Sequence, residues 1–316
     1  MARMKIEYLA QYKATHGYSL RDRAIAYLPR YAPWAGRVAP MSNWAVGILK
    51  NVLKFSSKRE LPKWRADYFH DRTRPARGAG RDVVLFVDTF NRWFEPENVR
   101  AAARVLQAAG YKVHPARPLV TGRPLCCGRT FLAAGMVEEA RAEAQRTLDA
   151  LRPFAERGVP VIGLEPSCLF SFRDEYGVLL RNAADLARNA LMFEEFLANS
   201  PGALRFRESP QEVLLHGHCH QKAFDAMPAV HKVLGMVPGL RHTAVQTSCC
   251  GMAGSFGYEA EHYPMSMKMA EMSLLPEVRR ASASRVVADG TSCRHQIADA
   301  TGREVWHVAR LLDAAL

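Results

Sequence analysis

One tripeptide, repeated, constrains this chain more than any other feature. Cys-Cys-Gly occurs at residues 126–128, in the stretch RPLCCGRTFLAAG, and again at 249–251, in TSCCGMAGSFGYE. Each copy follows a short apolar run, and each is followed by a lone cysteine, Cys168 after the first and Cys293 after the second. The step from Cys126 to Cys249 is 123 residues, and that from Cys168 to Cys293 is 125. Anchors displaced by nearly equal distances, in the same context, indicate an internal duplication with a period too long for a solenoid.

The texture around them alternates strands with helices. DVVLFVD (82–88), YKVHPA (111–116) and VPVIGLEPSC (159–168) read as strands, separated by helices over 96–110 and 136–158. EVLLHGHCH (212–220), LRHTAVQ (240–246) and SRVVADGTSC (284–293) repeat the order, with helices over 221–237 and 264–278 between them. Such alternation predicts an α/β fold: two duplicated α/β units with mostly parallel sheets, at 82–200 and 201–316. On this reading Cys168 and Cys293 each close a strand. Residues 1–81 read as a helical segment, joined to the rest through a Pro/Gly/Arg-rich linker at 70–82.

Charge is concentrated in that first segment. The chain has 43 basic and 31 acidic residues, and residues 1–81 hold 17 of the former against 5 of the latter. The excess of +12 therefore lies entirely there and predicts docking onto an acidic partner or an anionic membrane surface, the alternative being a solvated basic face. No zinc-finger or RNP-like stretch is present, so no nucleic-acid partner is expected. Within it, residues 44–59 place Trp44, Ile48, Val52 and Phe55 at helical spacing, with lysines on another face. No apolar run nears the roughly 18 residues that span a membrane. The amino terminus lacks the apolar core of a secretion signal. Seven cysteines, four in adjacent pairs, are poor material for a disulfide framework. A cytoplasmic protein, or one peripheral on the inner membrane face, is expected.

In open parallel sheets, ligands gather at the carboxyl ends of strands, where these cysteines fall. The second unit has Cys219, Cys249, Cys250 and Cys293, four thiolates such as a cubane iron–sulfur cluster or a structural zinc requires. Gly251, Gly254 and Gly257 let backbone approach and point amide groups at anionic sulfur. The first unit has Cys126, Cys127 and Cys168, a weaker second site. HGHCH also offers His216, His218, Cys219 and His220 for zinc, although strand alternation would put the three histidines on one face and Cys219 on the other.

Cys219 in HGHCH, the duplicated Cys-Cys-Gly and Cys293 in DGTSC resemble the cysteine-rich CCG domain family. That family includes the catalytic subunit of heterodisulfide reductase and the iron–sulfur subunit of glycolate oxidase. Residues 1–36 are similar to the segment following the ferredoxin-type motif in D-lactate and D-2-hydroxyglutarate dehydrogenases that contain FAD and iron–sulfur centres. The resemblance implies an iron–sulfur electron-transfer component of a FAD-linked D-2-hydroxyacid dehydrogenase, corresponding to the last part of such proteins. It implies a [4Fe-4S] cluster on Cys219, Cys249, Cys250 and Cys293, tuned by His218, His220 and Arg294. FAD would lie on a flavin- and ferredoxin-containing component that oxidises the substrate, with electrons passing towards a quinone or another carrier. No catalytic residue is identified in this chain itself. The family pattern ends in Cys-x-x-Cys, whereas here Gly290 precedes Cys293 and Glu165 precedes Cys168, which argues against a five-thiolate noncubane cluster. A zinc-stapled interaction module and a thiol or heterodisulfide reductase are the rival readings.

Overall fold

The computed structural model describes residues 2–71, 80–120, 122–247 and 249–316. Most of the expected linker, residues 72–79, therefore lies outside the described residues. Each half of the remainder carries a four-stranded parallel sheet. β1 (Asp82–Phe86), β2 (Lys112–Pro115), β3 (Val161–Gly163) and β4 (Ala190–Met192) run in the order β2-β1-β3-β4. β5 (Glu212–Leu215), β6 (Arg241–Ala244), β7 (Arg285–Val287) and β8 (Val305–Trp306) repeat it as β6-β5-β7-β8. The duplication inferred from cysteine spacing is thus a duplication of topology. β4 and β8, three and two residues long, are too short to carry a periodic signal in the sequence.

Alternation along the strands feeds two cores. Val83, Leu85 and Val87 point into one hydrophobic layer, and Val84 and Phe86 into another. The first layer is common to both units, since Val213, Leu215, Val287 and Val308 also belong to it. Helix Pro96–Ala108 packs there on Val308–Ala314, and Phe193–Asn199 packs on Met227–Leu234. Each fully buried Leu, Val or Phe contributes about 1.5–3 kcal/mol, so the two units are fused rather than loosely tethered. Each unit also keeps a core of its own. Cys127 and Cys168 lie in that of the first, and Cys250 and Cys293 in that of the second.

The expected strand ends need correction. β3 and β7 stop at Gly163 and Val287, and Cys168 and Cys293 sit in the first turns of helices Pro166–Arg173 and Thr291–Thr301. Pro166 occupies the start of its helix, where a missing N–H costs nothing. Likewise β5 ends at Leu215, and Cys219 opens the helix Cys219–Ala223. The single helix expected over 221–237 is broken at Asp225, whose φ is +53°.

The amino-terminal segment forms helices Ala2–His16, Leu20–Ala26, Leu28–Arg37 and Ala39–Val52. The Ser19 hydroxyl accepts from Asp22 N and the Asp22 carboxylate accepts from Ser19 N, a reciprocal cap. The segment touches both units. Thr130 Oγ1, beside the first Cys-Cys-Gly, donates to Ala26 O at 2.9 Å. Arg59 is fully buried, donates to Gly257 O in the second glycine-rich loop at 3.1 Å, and pairs with Asp299 at 2.8 Å. Part of the basic excess therefore serves internal ion pairing.

Candidate metal centre

β5 is flanked by β6 on one side and β7 on the other, so the chain direction of the crossovers reverses between β5 and β7. A crevice at the carboxyl end of a sheet forms at such a switch point. Three loops of the second unit meet there: 216–219 after β5, 245–247 with 249–251 after β6, and 288–293 after β7. They carry all four cysteines of that unit.

Cys250 and Cys293 are buried, Cys249 is partly buried and Cys219 is exposed. The Cys250 thiol contacts both Cys249 and Cys293. Gly251 N donates to Cys249 Sγ at 3.3 Å. Gly251 has φ +88°, and a Cβ on it would lie 2.3 Å from Ser266 O. Only glycine satisfies both the backbone conformation and the space. This tight turn explains how neighbouring cysteines can serve one site, because the period-two rule of a strand no longer applies within it.

His216 belongs to the same group. Its backbone N–H donates to Val287 O at 2.8 Å, which extends the β5–β7 ladder by one residue. That register turns its side chain to the Leu214 face, and Leu214 packs with Cys250 and Cys293. One ring nitrogen of His216 and the two sulfurs all lie within 4.8 Å of one another. His216 is buried, and among the described residues neither ring nitrogen has a hydrogen-bond partner. An unpaired buried polar group costs about 1–3 kcal/mol. Burial, with the Lys222 and His218 charges, pushes the imidazole down to about 3, so it is neutral at physiological pH.

His218 and His220 attend Cys219 instead. Their Nδ1 atoms lie 3.9 Å and 4.0 Å from its sulfur, and the two rings stack. His218 Nδ1 also accepts from His220 N, capping the helix that Cys219 opens. A Cβ on Gly290 would fall 2.2 Å from His218 Cδ2. The His218 ring therefore fills the space that a side chain at position 290 would need. Arg294 does not face the sulfurs, since its guanidinium bonds to Glu95, Ala288 O, Asp289 O and Thr291 Oγ1.

Lys222 was not singled out from sequence. It lies three residues after Cys219 on one short helix, and its ammonium donates to Thr247 O, near Cys249. Burial lowers its pKa, while Cys293, Cys219, Cys249 and Cys250 all oppose that shift. A cation so placed senses all four thiols. The spacing of three from a cysteine on a helix is the signal that could have found it.

The first unit repeats the arrangement with substitutions. Gly128 N donates to Cys126 Sγ at 3.4 Å, Arg129 N to Cys127 Sγ at 3.5 Å, and Gly128 has φ +85°. Cys127 contacts Cys126 and Cys168. Here, however, Thr89 opens the helix after β1 where Cys219 opens its counterpart. Phe86, packed in the Cys127–Cys168 core, takes the place of His216. All three thiols are buried, and Cys168 is pushed up to about 12, the Cys127 contact lowering it but burial and the Asp88 and Glu165 charges prevailing. Glu165 leaves its own unit: its Oε2 accepts from Thr291 N at 2.8 Å, at the start of the helix that carries Cys293.

Thiol clusters whose pKa values rise on burial favour protonation unless a metal cation replaces the protons. The Cys249 thiol is raised by its contact with Cys250 and by burial, and Cys250 rises through Cys293 and burial although Cys249 opposes it. Together with an unbonded imidazole and amide donors aimed at sulfur, the second unit's donor set fits a thiolate-bound metal or iron–sulfur group.

A parallel α/β unit with thiols gathered at its switch point defines the class to which this half of the chain belongs. Residues 213–298 match the family model of the CCG cysteine-rich domain. The chain is 27% identical over 325 residues to one of the subunits of the anaerobic glycerol-3-phosphate dehydrogenase of Escherichia coli (strain K12), a match covering 97% of this chain and 80% of that protein. It is 25% identical over 328 residues to the D-2-hydroxyglutarate dehydrogenase of the same organism, covering 96% of this chain but 31% of that protein. It is 27% identical over 281 residues to the glycolate oxidase iron–sulfur subunit of that organism, covering 85% of this chain and 66% of the relative.

Proposed function

We propose that this protein is the iron–sulfur electron-transfer component of a flavin-linked dehydrogenase acting on a small anionic alcohol, of the D-2-hydroxyacid or glycerol-3-phosphate kind. The observation that carries the reading is the convergence of three loops on Cys249, Cys250, Cys293 and His216. Cys219, exposed on the first of these loops and grouped with His218 and His220, is assigned as the donor that completes the set from the solvent side. When bound, an iron–sulfur group supplies one-electron transfer. The chain's residues hold it by thiolates, shield it by burial, and set its charge environment through Lys222 and the loop amides. Substrate oxidation is assigned to a flavin-bearing partner, for which relatives named as a dehydrogenase subunit and an iron–sulfur subunit are the support.

The amino-terminal arm supports a second contact. Met41, Trp44, Ile48 and Val52 form one exposed stripe along helix Ala39–Val52, between 55% and 73% exposed, and Trp34 precedes it at 70%. Exposed Arg37, Lys54 and Lys58 flank it. No helix among the described residues is long and apolar enough to cross a membrane. An apolar aromatic stripe with a basic border suits the interface of an anionic bilayer, so we place the protein peripherally on the cytoplasmic membrane face, near quinone.

Zinc is the second reading, and the closeness of His216, Cys250 and Cys293 favours it. Donors at about 2.0–2.3 Å from a single tetrahedral ion sit closer together than those on separate corners of a cubane. Anaerobic purification followed by visible spectroscopy, iron and acid-labile sulfide analysis separates the two. Broad sulfur-to-iron charge-transfer bands with stoichiometric sulfide are expected. A colourless zinc protein would sink the electron-transfer reading.

A further inference from the structure

The duplication places two aromatic residues in matching positions with different neighbours to serve. Phe86 is the last residue of β1 and His216 directly follows β5, both face the unit's own core, and both lie beside a cysteine pair and a lone cysteine. In the first unit that residue is Phe86, whose ring is content among Cys127, Cys168 and Phe172. In the second it is His216, 1% exposed, with both nitrogens unbonded among the described residues. Hydrophobic packing alone would be served better by the phenyl ring, because imidazole brings two polar atoms that need partners. Among the described residues, the sulfurs of Cys250 and Cys293 lie within 4.8 Å of one ring nitrogen, and neither ring nitrogen has a hydrogen-bond partner.

We infer that His216 is a nitrogen ligand of the metal group held by Cys250 and Cys293, so that the second unit has a mixed imidazole–thiolate site. The inference rests on the reading of that site as a metal centre, and adds the ligand that its cysteine count omits. Neutral imidazole in place of thiolate removes one negative charge from the group and raises its reduction potential, as the histidine-ligated Rieske centres do relative to all-cysteine clusters. The first unit, with Phe86 and Thr89 where the second has His216 and Cys219, lacks both of those donors.

The test uses the full chain, purified anaerobically after growth with 15N-histidine and examined reduced by pulsed EPR. Histidine-nitrogen coupling is expected in the unsubstituted protein and absent in His216→Cys. That variant, which offers a thiolate in the same place, should retain metal and titrate at a lower potential, while His216→Ala loses most of its metal. An iron-loaded protein without histidine coupling, or coupling that persists in His216→Cys, overturns the inference and leaves the electron-transfer reading standing. If circular dichroism shows that the variants have lost their fold, the labelled unsubstituted protein decides alone. A zinc protein without iron overturns the electron-transfer reading instead. The zinc K-edge spectrum then decides His216, with imidazole scattering supporting it and thiolate-only coordination rejecting it. A protein that binds neither metal overturns both.

Discussion

Glu95, in the first unit, pairs with Arg294, the residue after Cys293 in the second: Arg294 Nε donates to Glu95 Oε1 at 2.8 Å, and Nη2 contacts Oε2 at 2.5 Å. The guanidinium is almost wholly buried. Burial alone would raise the Glu95 carboxyl, but the Arg294 charge and hydrogen bond outweigh it and hold the group at about 2. A carboxyl depressed on folding adds stability above its unfolded pKa of roughly 4.3, and that contribution is lost as pH falls towards 2. Glu95→Gln leaves Arg294 buried without its counter-charge and should cost about 3 kcal/mol at neutral pH. Urea unfolding of both proteins from pH 7 downward checks this. The gap between them should close on acidification, and a gap that is absent or constant counts against the pair.

Gly251 and Gly254 both have positive φ, +88° and +70°, yet only Gly251 faces backbone at contact distance. Gly254→Ala should therefore cost only the left-handed penalty of about 1–2 kcal/mol. Gly251→Ala should cost more and also displace the turn that presents Cys249 and Cys250. Thermal unfolding and metal content of the two variants check the ranking; equal losses would mean that Ser266 yields freely.

The two units should differ in metal retention. Cys250→Ser removes a thiol that contacts two others beside His216, whereas Cys168→Ser alters a set flanked by Phe86 and Thr89. Most of the iron should disappear from the first variant and most should remain in the second. Equal losses measured by metal analysis would show that the units share one centre.

Lys222→Gln removes the cation that senses all four thiols. Adding an electron makes the group more negative, so a nearby cation favours the reduced state. Its loss should lower the midpoint potential by tens of millivolts, since about 1 kcal/mol of charge interaction is about 40 mV for a one-electron couple. A redox titration followed by EPR reads the shift. An unchanged or raised potential would show that Lys222 is screened from the centre.

Trp44→Ser combined with Ile48→Ser takes two large apolar side chains from the exposed stripe of helix Ala39–Val52. Co-sedimentation with vesicles rich in anionic lipid should fall by at least about tenfold, because each fully withdrawn apolar side chain is worth about 1.5–3 kcal/mol. Added salt should weaken binding by the unsubstituted protein, its basic border being screened beyond about 8 Å. Binding indifferent to both changes would assign the stripe to a protein partner.

The sequence by itself determined the duplication, the α/β class and the positions of the Cys-Cys-Gly pairs. Those properties reside in local patterns: apolar runs of strand length, helix stops, and Cys-Cys-Gly recurring at an almost fixed interval. It also marked Gly251, because a glycine after paired cysteines has a conformational reason that needs no partner. Where β3, β5 and β7 end was not legible in the same way. The regular strands stop at Gly163 and Leu215, where pairing with neighbouring strands ends apart from one further bond from His216 N to Val287 O, a limit set by the neighbours rather than by the residues themselves. Moving those ends put Cys168, Cys293 and Cys219 on helix starts and separated His216 from His218 and His220. Only tertiary structure could bring His216 to Cys250 and Cys293, since they lie on three loops far apart in the chain and meet through sheet register. The same holds for Glu95 with Arg294 and Glu165 with Thr291, contacts created by a core the two units share. Local pattern names the donors, and packing between distant segments decides which of them can reach one another.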